Sequence, residues 1–241
     1  MHTGPIAVGV VLAAGMGTRI GADGNKAYLP LAGRSMLSWS VEAVARSTMI
    51  ARTVLVFRRG ERDMAARTLA AELPHVAVEL VEGGDTRHGS EENVLRHLAP
   101  DIESGAVDVV LIHDAARPLA ETAMVDTALS TARAVGGAIP VLPATDIVTA
   151  TADGRLTPTS GRLVRVQTPQ AFRAQPLLTA YRLSAGGSFE GTDTASCVQR
   201  FTDLEVRVFP GASTNLKVTF AHDVRLAEAL LQDGVNRRGR R

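Results

Sequence analysis

Short apolar runs alternate with stretches of helical periodicity along nearly the whole chain. The runs at 7–13, 52–57, 76–81, 107–112, 138–142 and 204–209 are rich in valine, leucine, isoleucine and alanine and predict strands. Helical spacing of apolar residues fills 35–46, 61–73, 88–98, 121–134, 174–184 and 222–232. A strand with no polar alternation is buried on both faces, as in a parallel sheet, and strand–helix alternation supplies the crossovers such a sheet needs. The expectation is an α/β protein: a Rossmann-like, mostly parallel sheet with crossover helices, in one domain over 1–241. Residues 143–163 break the rhythm. They are rich in threonine, with Asp153-Gly154 between two β-prone runs, and predict a hairpin arm projecting from the sheet.

In open parallel sheets ligands bind outside the carboxyl ends of the strands, and the polar clusters fall there. Glycines at 15, 17, 21 and 24 follow the first strand, with Arg19 and Lys26 in or just beyond the loop. Such a loop lets consecutive backbone N–H groups converge on a phosphate, and two cations beside it suit a polyphosphate. It is not a Walker loop, because no glycine directly precedes Lys26 and Ala27 follows it. It is not the dinucleotide fingerprint either, because Ile20 stands where the third glycine belongs. GGDTRHGS (83–90) follows the third strand and HDAARP (113–118) the fourth.

Asp114 therefore lies at a strand's carboxyl end, where a carboxylate can hold Mg²⁺ against triphosphate oxygens. Its alternative is a loop salt bridge to Arg117 or a helix cap. Lys217, in NLKVT, follows the last strand and can reach the same end of the sheet. Thr192 and Asp193 stand at a helix start, where capping and substrate contact are both open to them. His88, His113 and Ser90 have no partner that marks nucleophilic catalysis, and no His/Cys spacing marks a metal cage. Chemistry by position and charge is what remains, as in nucleotidyl transfer.

Composition narrows the picture. The net charge is +1, against a general nucleic-acid binder, and the basic residues at 234–241 read as a flexible tail. Cys197 is the single cysteine, so no internal disulfide forms and a reducing compartment fits. No apolar stretch has the length of a membrane span and no leader pattern opens the chain, so a cytoplasmic protein with no membrane partner is expected.

LAAGMGTR, KAYLPLAG, GGDTRHGS, HDAARP, QTPQAF, TDTAS and NLKVT occur in this order. Together they resemble the 2-C-methyl-D-erythritol 4-phosphate cytidylyltransferases of the non-mevalonate isoprenoid pathway. The resemblance implies a homodimeric, Mg²⁺-dependent enzyme that joins CTP to an alditol phosphate and releases pyrophosphate. It implies catalytic roles at the phosphates for Arg19, Lys26 and Lys217. Ala13, Ala14, Gly15, Gly84, Asp85, Ser90, Asp114 and Ala115 are implied to bind the nucleotide, with Asp114 at the metal. Arg117, Thr168, Thr192 and Asp193 are implied on the alditol-phosphate side. The arm at 143–163 is implied to cross to the partner subunit and complete its site. Two positions depart from the family pattern: Ser160 where an arginine is usual, which leaves Arg162 as the arm's phosphate contact, and Ile147 where a threonine is usual. Both fall on the acceptor side, so a cytidylyltransferase for another polyol phosphate, such as ribitol 5-phosphate, and a non-catalytic nucleotide-binding relative stand as alternatives. A sugar-1-phosphate nucleotidyltransferase shares the glycine loop but not HDAARP with QTPQ.

Overall fold

The computed structural model describes residues 4–15, 25–157, 161–185, 189–191 and 193–238. The elements run β1 (Ile6–Leu12), β2 (Pro30–Leu31), β3 (Arg34–Ser35), α1 (Met36–Ala45), β4 (Ile50–Phe57), α2 (Arg62–Glu72), β5 (Val78–Glu82) and α3 (Arg87–Glu103). They continue as β6 (Val107–Asp114), α4 (Thr122–Val135), β7 (Gly137–Pro143), β8 (Thr149–Ala150), β9 (Leu156–Thr157) and β10 (Val164–Val166). The last are β11 (Gln170–Arg173), α5 (Ala174–Ser184), α6 (Thr194–Phe201), β12 (Val206–Pro210) and α7 (Ala221–Arg238).

The strand order β5-β4-β1-β6-β11-β7 forms the body of the sheet, with β10 and β12 also paired to β7. β1 runs parallel to both β4 and β6, β4 to β5, and β12 to β7. β11 is antiparallel to both β6 and β7. Period-two alternation sends Val8 and Val10 of β1 to one face, with Val94 and Leu98 of α3, Leu177 of α5 and Val198 of α6. Ala7 and Val11 go to the other, with Val41 of α1, Leu69 of α2 and Leu129 of α4. Gly9 sits between them because a Cβ there would lie 2.3 Å from Val44 Cγ1, so the missing side chain lets α1 close on the sheet.

The chain leaves β1 toward β4 on one side and later places β6 on its other side. A crevice lies at the adjacent carboxyl ends of β1 and β6. Ala115 N–H donates to Leu12 O at 3.0 Å and Ala13 N–H to Val56 O at 2.8 Å, so these strand ends are in register.

All six strand runs and all six helical runs form elements, with shifted ends. The run 76–81 forms β5 from Val78, and 204–209 forms β12 from Val206. The helix from 88 continues through Pro100 to Glu103. The segment 234–241, expected as a tail, is helical as far as Arg238, and 239–241 lie outside the described residues. β10 and β11, short and reversed in direction, were not predicted. The arm contains the expected hairpin. Thr149 pairs with Thr157 and Ala150 with Leu156, around Gly154 at φ +85°. Val148 and Leu156 on it are 64% and 71% exposed, so the arm does not bury its apolar residues on its own sheet. Among the described residues no helix is long and apolar enough to cross a membrane.

Candidate active site

The crevice holds a cavity of about 240 Å³. Ala13, Ala14 and Gly15 line it from the end of β1, Lys26 from the turn beyond, and Asp85 and Ser90 from the loop into α3. Asp114 and Ala115 line it from the end of β6, and Lys217 from the loop after β12. Nine residues assigned from sequence to nucleotide and phosphates thus meet around one space. Arg19 lies outside the described residues.

Local chemistry sets each wall. Asn25 is buried; its Nδ2 donates to Ala13 O at 2.7 Å and to Glu61 Oε2 at 2.8 Å, and its Oδ1 accepts from Ala27 N–H. It ties the turn bearing Lys26 to the end of β1. Lys26 Nζ donates to Val218 O at 3.1 Å, which brings the two lysine-bearing loops together. Gly84 does not line the cavity. A Cβ there would lie 2.7 Å from the Gly89 backbone, so its role is to let the loop fold back on the start of α3. Ser90 Oγ holds that fold, donating to Thr86 O at 2.8 Å and accepting from Gly84 N–H at 3.2 Å.

Asp114 is the electrostatic centre. Its Oδ2 accepts from Lys217 Nζ at 2.8 Å and its Oδ1 from Arg87 Nη2 at 3.3 Å. Burial alone would raise its pKa; the charges of Arg87, Lys217 and Arg117 outweigh burial and hold it well below the usual carboxylate range. Arg87 was not singled out from the sequence, although it stands within GGDTRHGS. Burial opposes its charge, and Glu91 and Asp114 hold it protonated.

Behind Asp114 is a second set of contacts. His113 is fully buried; its Nε2 lies 3.1 Å from Arg117 O and its Nδ1 3.1 Å from Thr168 Oγ1. The carbonyl can only accept, so Nε2 carries the proton, Nδ1 accepts from the Thr168 hydroxyl, and Thr168 Oγ1 accepts from Asp114 N–H at 3.0 Å. Burial pushes the His113 pKa down to about 4, consistent with this neutral ring. Thr168 is therefore buried and engaged with Asp114 and His113, and it does not line the cavity in this chain.

Arg117 donates to Asn215 O at 2.8 Å and Val166 O at 3.3 Å, and so faces away from Asp114's carboxylate bonds. Asp193 caps α6, accepting from Ser196 N–H at 2.9 Å, and also accepts from Gln170 Nε2 at 3.1 Å. Thr192 lies outside the described residues. Arg162 is exposed on the arm and does not line the cavity. Gln167 and Asn215 were also missed as site residues. Gln167 Nε2 donates to Ala212 O at 2.9 Å and Asn215 Nδ2 to Thr168 O at 2.9 Å, so the QTPQ segment holds the loop that delivers Lys217.

A polyanion entering this space meets backbone at 13–15 and two lysines. Lys217, whose side chain is 46% exposed, can exchange Asp114 for a phosphate oxygen. Among the described residues no three His, Cys, Asp or Glu groups gather to cage a metal. The Asp114 carboxylate suits a hard ion that keeps waters and takes its other ligands from a bound phosphate, provided Lys217 releases Oδ2.

The profile of the family described as 2-C-methyl-D-erythritol 4-phosphate cytidylyltransferase matches residues 7–233. A relative of that name from Cereibacter sphaeroides is 40% identical over 227 residues, covering 92% of this chain and 95% of its own. One of the same name from Solibacter usitatus is 34% identical, covering 94% of this chain and 96% of its own. The crystal structure of the enzyme of that name from Thermus thermophilus aligns at a TM-score of 0.69 with 31% identity, covering 94% of this chain and all of that one. The 4-diphosphocytidyl-2C-methyl-D-erythritol synthase of Anaerococcus prevotii aligns at 0.82 with 26% identity, covering 95% of this chain and 96% of that one.

Proposed function

The chain belongs to the 2-C-methyl-D-erythritol 4-phosphate cytidylyltransferase family, and from that premise we propose how its crevice carries out the reaction. The enzyme transfers the cytidylyl group of CTP to 2-C-methyl-D-erythritol 4-phosphate and releases pyrophosphate. The observation that carries the reading is the convergence of Ala13–Gly15, Lys26, Asp114 and Lys217 on one cavity at the carboxyl ends of β1 and β6.

The acceptor's phosphate is already an anionic nucleophile, so no general base is required, in keeping with a neutral His113 that faces away from the cavity. It attacks the α-phosphorus of CTP in line, and pyrophosphate leaves. Charge builds on the α-phosphate oxygens, where Lys26 and a Lys217 released from Asp114 stabilise it. The backbone at 13–15 orients the nucleotide. Asp114 would hold Mg²⁺ together with triphosphate oxygens, and the ion would neutralise charge on the leaving group.

The reading includes a cytoplasmic homodimer. Exposed Val148 and Leu156 on the arm support the dimer, because a two-fold partner would bury them. The buried free thiol of Cys197 suits a reducing compartment. Arg162 on the arm would then serve the partner's acceptor phosphate. The test is pyrophosphate release with each of the four nucleoside triphosphates against 2-C-methyl-D-erythritol 4-phosphate and ribitol 5-phosphate. Release with CTP and the erythritol phosphate is expected. Release only with another nucleotide or only with the ribitol phosphate would overturn the reading.

A further inference from the structure

A buried carboxylate with three side-chain donors lies behind the cavity, unused by the reaction just described. Glu91 is 1% exposed. Its Oε1 accepts from Arg87 Nη1 at 2.6 Å and from the Thr194 hydroxyl, and its Oε2 accepts from the Tyr181 hydroxyl. Tyr181 is itself 1% exposed and stacks on His88 at 4.7 Å. The cluster therefore joins α3, α5 and α6 at one carboxylate. Burial raises the Glu91 pKa, and Arg87 with the two hydroxyl donors opposes it.

Arg87 is the first residue of α3. The amino end of a helix carries partial positive charge and disfavours a cation. Two carboxylates offset this: Glu91 one turn on, and Asp114 across the crevice at 3.3 Å. Asp114's other oxygen is held by Lys217, which the reaction requires to move to phosphate. When Lys217 leaves, Arg87 is the bonded cation that remains on the Asp114 carboxylate.

We infer that Glu91 is a positioning residue for the transfer: it fixes Arg87, and Arg87 keeps Asp114 in place while Lys217 passes from the carboxylate to the substrate. The inference rests on the reaction proposed above. Glu91 does not line the cavity, so its effect falls on kcat more than on KM. Thr194 neighbours the Asp193 cap of α6, so the same carboxylate ties the nucleotide side of the crevice to α6.

The experiment is a double-mutant cycle in the full-length enzyme with Glu91→Gln, Arg87→Gln and the pair, followed by pyrophosphate release and by thermal melting. Gln at 91 keeps the shape, with its Oε1 still accepting from the Thr194 hydroxyl and its Nε2 donating to the Tyr181 oxygen instead of accepting from it, but loses the charge that fixes Arg87. Glu91→Gln is expected to lower kcat roughly tenfold with KM for CTP within about threefold. In the Arg87→Gln background the same change is expected to lower kcat less than twofold, since its route to the site is already gone. Multiplying losses in the double variant, or a Glu91→Gln enzyme with wild-type kcat, would overturn the inference. A wild-type enzyme that releases no pyrophosphate from CTP and the erythritol phosphate would instead overturn the reaction on which it rests. If Glu91→Gln does not fold, Tyr181→Phe replaces it in the same cycle. That variant removes one hydroxyl behind Glu91 and is expected to lower kcat two- to threefold only where Arg87 is present; a loss equal in both backgrounds would count against the inference.

Discussion

Replacing Asp114 by asparagine separates its charge from its shape and gives two effects of opposite sign. In the native protein the carboxylate bonds Lys217 at 2.8 Å and Arg87 at 3.3 Å. In the variant Arg87 retains Glu91 at 2.6 Å. Lys217, with its side chain 46% exposed, returns to water. Weakening two charge-assisted hydrogen bonds then costs about 1.5–3 kcal/mol of stability. The pH dependence follows from the depressed pKa of Asp114. A carboxylate held lower in the folded state contributes stability that is fully present above its unfolded value near pH 4, and loses it as pH falls toward the lower folded value. Wild type and variant should therefore converge in stability in acid. Binding moves the other way, because the crevice becomes more positive by one charge. At about 7 Å in water one charge pair is worth roughly 0.6 kcal/mol, which a screening length of about 8 Å reduces to roughly 0.25 kcal/mol. Four charges on a triphosphate then give about 1 kcal/mol, or roughly fivefold tighter binding. Calorimetric titration with CTP in EDTA measures this directly, and pyrophosphate release against Mg²⁺ concentration measures the metal's side. A supporting contact to a metal ligand is worth about 10–100-fold in metal affinity, so losing the carboxylate should raise half-saturating Mg²⁺ by at least tenfold. Unchanged metal-free CTP affinity together with an unchanged Mg²⁺ response would refute the argument and leave Asp114 as a structural tie between two loops.

Lys26→Ala should lower kcat by roughly 10²–10³, the scale of one preorganised charge on a transition state; pyrophosphate-release kinetics within threefold of wild type would remove it from the mechanism. His113, with its pKa at about 4 in the fold against 6.5 ordinarily, stays neutral where the unfolded chain binds a proton. Stability should thus fall as pH drops from 6.5 toward 4, by about 3–4 kcal/mol in all at roughly 1.4 kcal/mol per pH unit, and denaturant titrations of His113→Asn should lack that component of the slope. For the arm, inactive Lys26→Ala subunits mixed with inactive Arg162→Ala subunits should recover part of the activity, because one site of each mixed dimer is then wild type throughout. A monomer by light scattering, or mixtures as inactive as either parent after confirmed exchange, would exclude a shared site.

The sequence by itself determined the scaffold and much of the lining of the crevice. β1, β4, β6 and β7 are covered on both faces over most of their length, and that burial writes them as largely apolar runs that need no knowledge of their neighbours. The loops after β1 and β6 hold glycine, lysine and aspartate at strand ends, and the sheet's topology alone carries those ends to one place. The hairpin was legible from Asp153-Gly154, because turn chemistry is local. Only the tertiary structure decided the rest. β10 and β11 are three and four residues long, too short for a period, and their reversed direction is set by pairing: β11 inserts between β6 and β7, and β10 adds beside β7. Thr168 lies in a motif that suggests substrate contact, yet its hydroxyl is turned to His113 and Asp114, which a one-dimensional pattern does not encode. The cluster of Arg87, Glu91, Tyr181 and Thr194 comes from three helices, with members up to 107 residues apart in sequence. Each of these residues looks like an ordinary polar position on its own helix. What makes them a unit is burial of one carboxylate, which must find all its hydrogen-bond donors inside the fold.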